Sequence, residues 1–273
     1  MSKYDDLFDL TGKAAVVTGG AGILGTEFCR ALAAHGASVA VVDIDEEAAT
    51  ALAQRLRAEQ DVEAMAVRCD VSTPASVEAM VDEVVAAFGQ IDILHNNAAT
   101  KSDDLDAFYA PDDEYALPEW RKIMAVNLDG MFLVAREVGT QMIEQGTGGS
   151  ILQTASIYGL VGPDERVYEG SQYRGHEIRN PAVYAASKGG VVALSRHLAT
   201  TWAEHDIRVN TLVPGGVESG QNGTFQENYG KRVPLGRMAE REELVGAVVY
   251  LASEASSYVT GQHLVVDGGL TAW

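Results

Sequence analysis

Tyr184 and Lys188 stand four positions apart in a stretch, 181–203, whose pattern predicts a long helix. Residues at i and i+4 share one helix face, so the lysine ammonium can stand near the phenol. A free tyrosine loses its proton near pH ~10. A nearby cation favours the phenolate and would make Tyr184 a usable acid and base near neutrality. The spacing alone is common in unrelated chains. It gains weight from Ser156, which follows the apolar run 150–154. Open α/β sheets bind ligands beyond the C-terminal ends of their strands, and a hydroxyl there can hold a substrate oxygen beside the phenol.

A second constellation is Thr18-Gly19-Gly20-Ala21-Gly22-Ile23-Leu24-Gly25, lying between an apolar run and a helical pattern. Glycines there permit a tight turn and let the backbone approach a pyrophosphate, whose charge is met by the helix N-terminus. Gly19, Gly22, Ile23, Leu24 and Gly25 are therefore candidate dinucleotide contacts. Asp43 ends the next apolar run, 18 positions after Gly25. Its carboxylate can accept both hydrogen bonds of an adenosine ribose diol and would repel a 2′-phosphate. The adjacent Ile44 and Asp45 include no base. The expected cofactor is NAD.

These side chains need a frame. Short β-branched runs at 13–18, 38–43, 62–70, 91–95, 150–154, 207–213 and 263–266 alternate with helical stretches. The helices are expected at 23–35, 46–59, 74–88, after Pro118 with Asn127 in its middle, at 181–203 and at 240–253. Strands alternating with helices predict parallel pairing through crossovers. The expected fold class is α/β, a Rossmann-type doubly wound parallel sheet in three α/β/α layers. One domain is expected over residues 1–273. Two segments break the rhythm, the acidic 101–117 and the Gly-, Tyr-, Arg- and Glu-rich 158–180. Long loops in compact domains are usually functional or disordered.

Taken in order, the Thr18–Gly25 cluster, Asp70-Val71, Asn96-Asn97-Ala98-Ala99, Asn127, Ser156, Tyr184-x-x-x-Lys188 and Pro214-Gly215 resemble the short-chain dehydrogenase/reductase family from about Leu10 to Gly269. The resemblance implies that Asp70 contacts the adenine amino group with Val71 alongside. It also implies that Asn97 and Ala98 lie near the adenosine ribose, and that Lys188 binds the ribose while tuning Tyr184. Asn127 would hold a water in a proton relay behind Lys188. Pro214, Gly215, Val217 and Ser219 would bracket the nicotinamide, with Ser219 where the family usually has threonine. The family commonly forms tetramers, and the tail 270–273 would suit such a homo-oligomeric contact.

The chain departs from the pattern in three places. Gly22 replaces the family's usual glycine one position later, and Ala99 stands where glycine is usual. Ser156 and Tyr184 are 28 positions apart, where the family usually has roughly a dozen. The extra length is 158–180, expected as a substrate-side insertion in which Tyr158, Arg166, Arg174 and Arg179 would face a polar small molecule.

Composition narrows the alternatives. A formal net charge of −19 repels phosphate backbones and anionic lipids, so neither nucleic acid nor membrane is an expected partner. The two cysteines and six histidines show no metal-ligand spacing, and no metal is expected. The acidic N-terminus 1–10 lacks the basic start and apolar run of a signal peptide, so the protein reads as cytoplasmic. The expected activity is NAD-dependent interconversion of a secondary alcohol and its ketone, on a sugar, polyol or sugar acid. Two rivals remain. An acyl-thioester ketoreductase is disfavoured by Asp43 and by the acidic surface, which would repel an acidic carrier. A non-catalytic cofactor sensor would be expected to lack one of Asn127, Ser156, Tyr184 and Lys188, and all four are present.

Overall fold

The run Ala14–Thr18 (β1) is buried at every position, as expected of a strand covered on both faces. It leads into α1, Ile23–Ala34, and then β2, Ser38–Asp43. Helix α2, Glu46–Gln60, is capped by Asp45, whose carboxylate accepts from the Ala48 amide at 3.0 Å. After β3, Ala64–Arg68, α3 (Pro74–Phe88) opens on the proline and stops at Gly89 in a left-handed conformation, the expected asymmetry of helix ends. The computed structural model describes Tyr4 and residues 6–273, so residues 1–3 and 5 of the acidic N-terminus lie outside it.

Strand β4, Ile93–Asn96, is followed by a one-turn helix α4, Leu105–Phe108. A long helix then runs as α5, Leu117–Met124, a π-helical turn Ala125–Gly130, and α6, Met131–Gln145. Strand β5 is Gly149–Thr154. The insertion folds as 3₁₀ turns at Ile157–Gly159 and Glu165–Tyr168 and a small hairpin, β6 (Gln172–Tyr173) and β7 (His176–Glu177). Then come α7, Ala182–Thr201, β8, Ile207–Pro214, α8, Gly223–Gly230, α9, Val245–Ala252, and β9, His263–Val266.

Among the described residues the main sheet has seven parallel strands in the order β3-β2-β1-β4-β5-β8-β9. The alternation of strand side chains divides the core into two layers. Val39 and Val41 of β2 pack with Phe28, Leu32, Leu52 and Leu251 of α1, α2 and α9. Ala40 and Val42 face the other way, toward Val77, Met80, Val138 and Met142 of α3 and α6. A third cluster joins Val167, Tyr173 and Ile178 of the insertion to Phe225 and Tyr229 of α8.

Several expected boundaries move. The strand expected at 62–70 ends at Arg68, because Asp70 accepts from the Ser72 amide (3.0 Å) and hydroxyl (2.6 Å) and turns the chain. The helix expected at 240–253 begins as a 3₁₀ turn, Arg241–Leu244, closed by reciprocal capping between Glu240 and Glu243. Helix α8 has no counterpart in the sequence reading, although Asn222 caps it by accepting from the Phe225 amide at 3.1 Å.

The switch in strand order between β1 and its neighbours opens a crevice at the strands' C-terminal ends, where such sheets bind ligands. The glycine turn after β1 is packed backbone on backbone. A methyl group at Gly25 would overlap the Gly19 carbonyl oxygen and stand 2.8 Å from Gly20 Cα. Gly25→Ala should therefore cost about 1–3 kcal/mol of stability, as overpacking does, and weaken dinucleotide binding. Urea unfolding without cofactor, together with a cofactor titration, measures both; wild-type values in each would mean the turn yields freely.

Candidate active site

The crevice is a cleft of about 590 Å³, within the roughly 300–1,000 Å³ usual for small-molecule sites. Gly19, Gly22, Ile23, Leu24 and Gly25 line one end, with Asp43, Ile44, Asp70 and Val71 beside them. No side chain caps α1 at Gly22, so its first amides are left for an anion. Asp43 is fixed at the edge, accepting from the Ala21 amide at 3.0 Å and the Asp45 amide at 3.1 Å. Asp70 is held below the usual carboxylate range by the Ser72 hydroxyl first of all.

The cleft continues past Asn97, Ala98 and Ala99 to Pro214, Gly215, Val217 and Ser219. Gln221 holds Ser219 in place, its Oε1 accepting from the Ser219 amide at 2.8 Å and its Nε2 donating to Ser219 Oγ at 3.0 Å. Ala99 does not take a positive φ and lines the cleft, so the backbone there does not require the family's usual glycine. Asn97 and Ala98 are hung from β1, since the Thr18 hydroxyl accepts from their amides at 2.9 and 3.1 Å.

Ser156, Tyr184 and Lys188 meet at the far end of the cleft. The 28-position gap is closed by packing at Gly159, where a Cβ would lie 2.7 Å from the Lys188 carbonyl. The turn after Ser156 thus rests directly on α7, and the rest of the insertion loops outward. Lys188 is 2% exposed, and burial pushes its pKa down to about 8. Its Nζ donates to the Thr154 carbonyl at 2.9 Å and lies 5.9 Å from the Tyr184 ring centre. Burial pushes the Tyr184 phenol up, and the Ser156 hydroxyl pulls it back down. The Ser156 hydroxyl is thus a lowering influence on the phenol besides the lysine that the sequence points to.

Asn127 sits in the π turn, fully buried. It grips Thr100, accepting from its amide at 2.8 Å and donating to its carbonyl at 3.3 Å. No direct hydrogen bond to Lys188 is among its contacts. π turns often occur at functional sites, and this one buries a polar side chain that an exposed helical turn would leave in water.

A second chamber of about 200 Å³ opens on the other side of Ser156 and Tyr184. Its walls are largely aromatic: Phe108 and Tyr109 from the 101–117 segment, Tyr158, Tyr168 and Tyr173 from the insertion, and Phe225 and Tyr229 from α8. Tyr168 donates to the Tyr158 hydroxyl at 2.8 Å. Of the three arginines expected to face substrate, only Arg179 lines this chamber. Arg166 is turned outward, with Nε and Nη2 each 2.8 Å from Asp164, which also takes Arg232 at 2.9 Å. Arg174 occupies the hairpin turn at φ 52° and lies over the Tyr173 ring. Thr18, Thr154 and Lys101 were not assigned roles from sequence. Thr18 lay inside the glycine motif, and Lys101 two positions beyond Ala99, so position alone could have flagged both.

Among the described residues no group of three His, Cys, Asp or Glu side chains could hold a metal ion. No helix among them is long and apolar enough to cross a membrane.

A family model described as enoyl-(acyl carrier protein) reductase matches residues 19–271. A D-threitol dehydrogenase from Mycolicibacterium smegmatis is 39% identical over 269 residues, covering 97% of this chain and 95% of its own. A 2,5-dichloro-2,5-cyclohexadiene-1,4-diol dehydrogenase from Sphingobium indicum is 38% identical, covering 97% and 99%. Among solved structures, a gluconate 5-dehydrogenase from Burkholderia cenocepacia, in complex with NADP and tartrate, superposes with a TM-score of 0.86 at 37% identity over 98% of each chain. Fold and site together define an oxidoreductase that acts on CH–OH groups with a nicotinamide cofactor. The chain belongs to the short-chain dehydrogenase/reductase family.

Removing the Ser156 hydroxyl removes one influence that lowers the phenol. If Tyr184 takes the alcohol's proton, oxidation needs its phenolate, and in Ser156→Ala the rising limb of the rate against pH should move to higher pH. At neutral pH, turnover should fall by about 10²-fold or more, the scale of acid–base contributions. Initial rates from pH 6 to 10, roughly spanning the ordinary lysine and tyrosine range, decide this. An unmoved limb would leave Ser156 without influence on the proton transfer.

Proposed function

We propose that the protein is an NAD-dependent dehydrogenase of a secondary hydroxyl on a small polyol, sugar or sugar-type alcohol. The observation that carries this reading is the position of Ser156 and Tyr184, which line both the dinucleotide cleft and the aromatic chamber. A hydroxyl-bearing carbon in the chamber is thereby brought to the one place where the cleft opens on an acid–base pair.

The residues fit a dinucleotide. The first amides of α1, at Ile23 to Gly25, are bare and face a pyrophosphate, Asp43 offers acceptors to the adenosine ribose, and Asp70 and Val71 an edge for the adenine. Pro214 to Ser219 form the wall for the nicotinamide, which when bound takes up the carbinol hydrogen as hydride. The protein's own part is proton handling. Ser156 donates to the substrate oxygen and Tyr184 Oη takes the hydroxyl proton, leaving a ketone. Lys188 supports a ribose and the phenol's charge, and Asn127, anchored on Thr100, holds a water between Lys188 and solvent.

NAD over NADP follows from Asp43, whose carboxylate would face a 2′-phosphate with no base at Ile44 or Asp45 to offset it. Among solved relatives one holds NADP and another NAD+, so the cofactor varies within the family. Self-association is supported by the exposed Leu235 and Trp273, 69% and 78% accessible, and by β9, half-buried along its whole length at the sheet edge.

Asp43→Asn keeps an acceptor for the Ala21 amide but discards the charge. Losing the charge-assisted bonds should weaken NAD binding by about 1.5–3 kcal/mol and narrow the preference over NADP. Equal kcat/KM with both cofactors in the wild-type enzyme would contradict the assignment. Tyr184→Phe should lose about 10²–10⁴-fold in turnover while NAD affinity, read by fluorescence titration, stays near wild type. Turnover retained at a tenth or more of wild type would send the proton elsewhere.

A further inference from the structure

The aromatic chamber carries two cations, Lys101 and Arg179, and no aspartate or glutamate. That is unexpected in a chain with 39 acidic residues and 20 basic ones. The two cations are not equivalent. Arg179 also reaches an outer hollow that it shares with Asp106, Glu114 and Glu177, so carboxylates surround its charge. Lys101 is exposed to solvent where the two spaces meet, lining both the cleft and the chamber.

The acids nearest to Lys101 in sequence are engaged elsewhere. Asp103 pairs with Lys122 at 3.8 Å. Asp104 caps α4 by accepting from the Ala107 amide at 3.0 Å, and Asp106 accepts or shares a proton with His176 Nδ1 at 2.7 Å. Among the described residues Lys101 makes no ion pair. Its ammonium lies 4.2 Å from the centre of the Tyr173 ring, and the Arg174 guanidinium lies 5.2 Å from the same centre. A ring face attracts a cation, but a second cation on the same ring opposes the first. Desolvation at the ammonium, and then Arg174, push the lysine's pKa down, and a bound anion would offset the repulsion between the two cations.

We propose that the alcohol oxidised at this site also carries a carboxylate, and that Lys101 receives it while Ser156 and Tyr184 hold the reacting hydroxyl. Lys101 is thus the residue that selects a hydroxy acid over a neutral polyol. The assignment rests on the preceding reading of Ser156 and Tyr184 as the oxygen-holding pair. The chamber's volume, about 200 Å³, suits a compact acid whose carbon skeleton lies against the aromatic walls.

An alcohol and NADH form a complex that cannot turn over, so selectivity can be read from binding alone. The probes are two matched pairs, gluconate against glucitol and 4-hydroxycyclohexanecarboxylate against cyclohexane-1,4-diol, titrated calorimetrically into the enzyme saturated with NADH. At least one acid should bind about 10- to 100-fold more tightly than its neutral partner, the range of a charge-assisted hydrogen bond. Lys101→Met should erase that difference, Lys101→Arg should largely restore it, and added salt should weaken it. Neutral partners binding as well as the acids in both pairs would overturn the proposal, as would discrimination that survives Lys101→Met. A failure of the dehydrogenase reading itself appears separately, as absence of NADH production from every alcohol supplied with NAD.

Discussion

The hydroxyl of Thr18 ties together the parts on which the site depends. It accepts from the amides of Asn97 and Ala98 and stands 3.2 Å from Asn96 Oδ1. Asn96 Nδ2 in turn donates to the Met131 carbonyl at 2.7 Å. One side chain at the end of β1 thereby fixes where β4 ends and where the long helix lies against it. Thr18 and Asn96 are fully buried, where an unmet polar group costs more than it does in water. The ends of β1 and β4 are therefore held together, and the dinucleotide cleft lies just beyond them. The glycine turn and the 97–99 segment keep a fixed spacing toward a common ligand for that reason.

The catalytic end is organised differently. Lys188 is anchored to the carbonyl of Thr154, the last residue of β5, and the Thr154 hydroxyl meets His95 Nε2 at 2.9 Å. Burial pushes His95 down to about 3, so it stays neutral and acts as a fixed strut. The insertion and α8 then build the chamber as a small core of their own, with Phe225 5.6 Å from Tyr168 and 5.7 Å from Tyr229 between ring centres. The cofactor side is thus held by hydrogen bonds across the sheet, and the substrate side mainly by aromatic packing. Substitutions at chamber residues that line only that space, such as Phe108 and Phe225, can alter its shape without disturbing the cleft.

Much of this was legible in the residues. The bounds of β2 and β9 and of α3 follow from alternation, apolar runs and helix-end residues, and the cleft lining follows from the ordered motifs. What escaped the sequence depends on contacts between distant segments. Arg166 looked like a substrate ligand because it is a cation in a pocket-side insertion; a carboxylate two positions away holds it at the surface. Lys101 reads as part of a polar loop, and its place at the mouth of the chamber is visible only once the Tyr173 ring is folded beside it. The Ser156 hydroxyl's pull on Tyr184 is not legible from the YxxxK spacing, because 28 positions separate the two residues. Helix α8 was missed because 223–230 has no strong apolar periodicity, and its stability comes from packing Phe225 and Tyr229 beneath the insertion.

The π turn at Ala125–Gly130 bears on how this long helix tolerates change in length. A π turn holds about one residue more than an α turn, and each residue in an α-helix advances the phase by roughly 100°. Deleting one residue between 125 and 130 could restore an uninterrupted α-helix, while Val134, Ala135, Val138 and Met142 keep their alignment with α3 and the sheet. The same deletion a turn later would rotate the following apolar face out of the core. The bulge that buries Asn127 is therefore also a length-compensating joint, the place on this helix where a codon could be lost or gained with the fold preserved and only the active site altered.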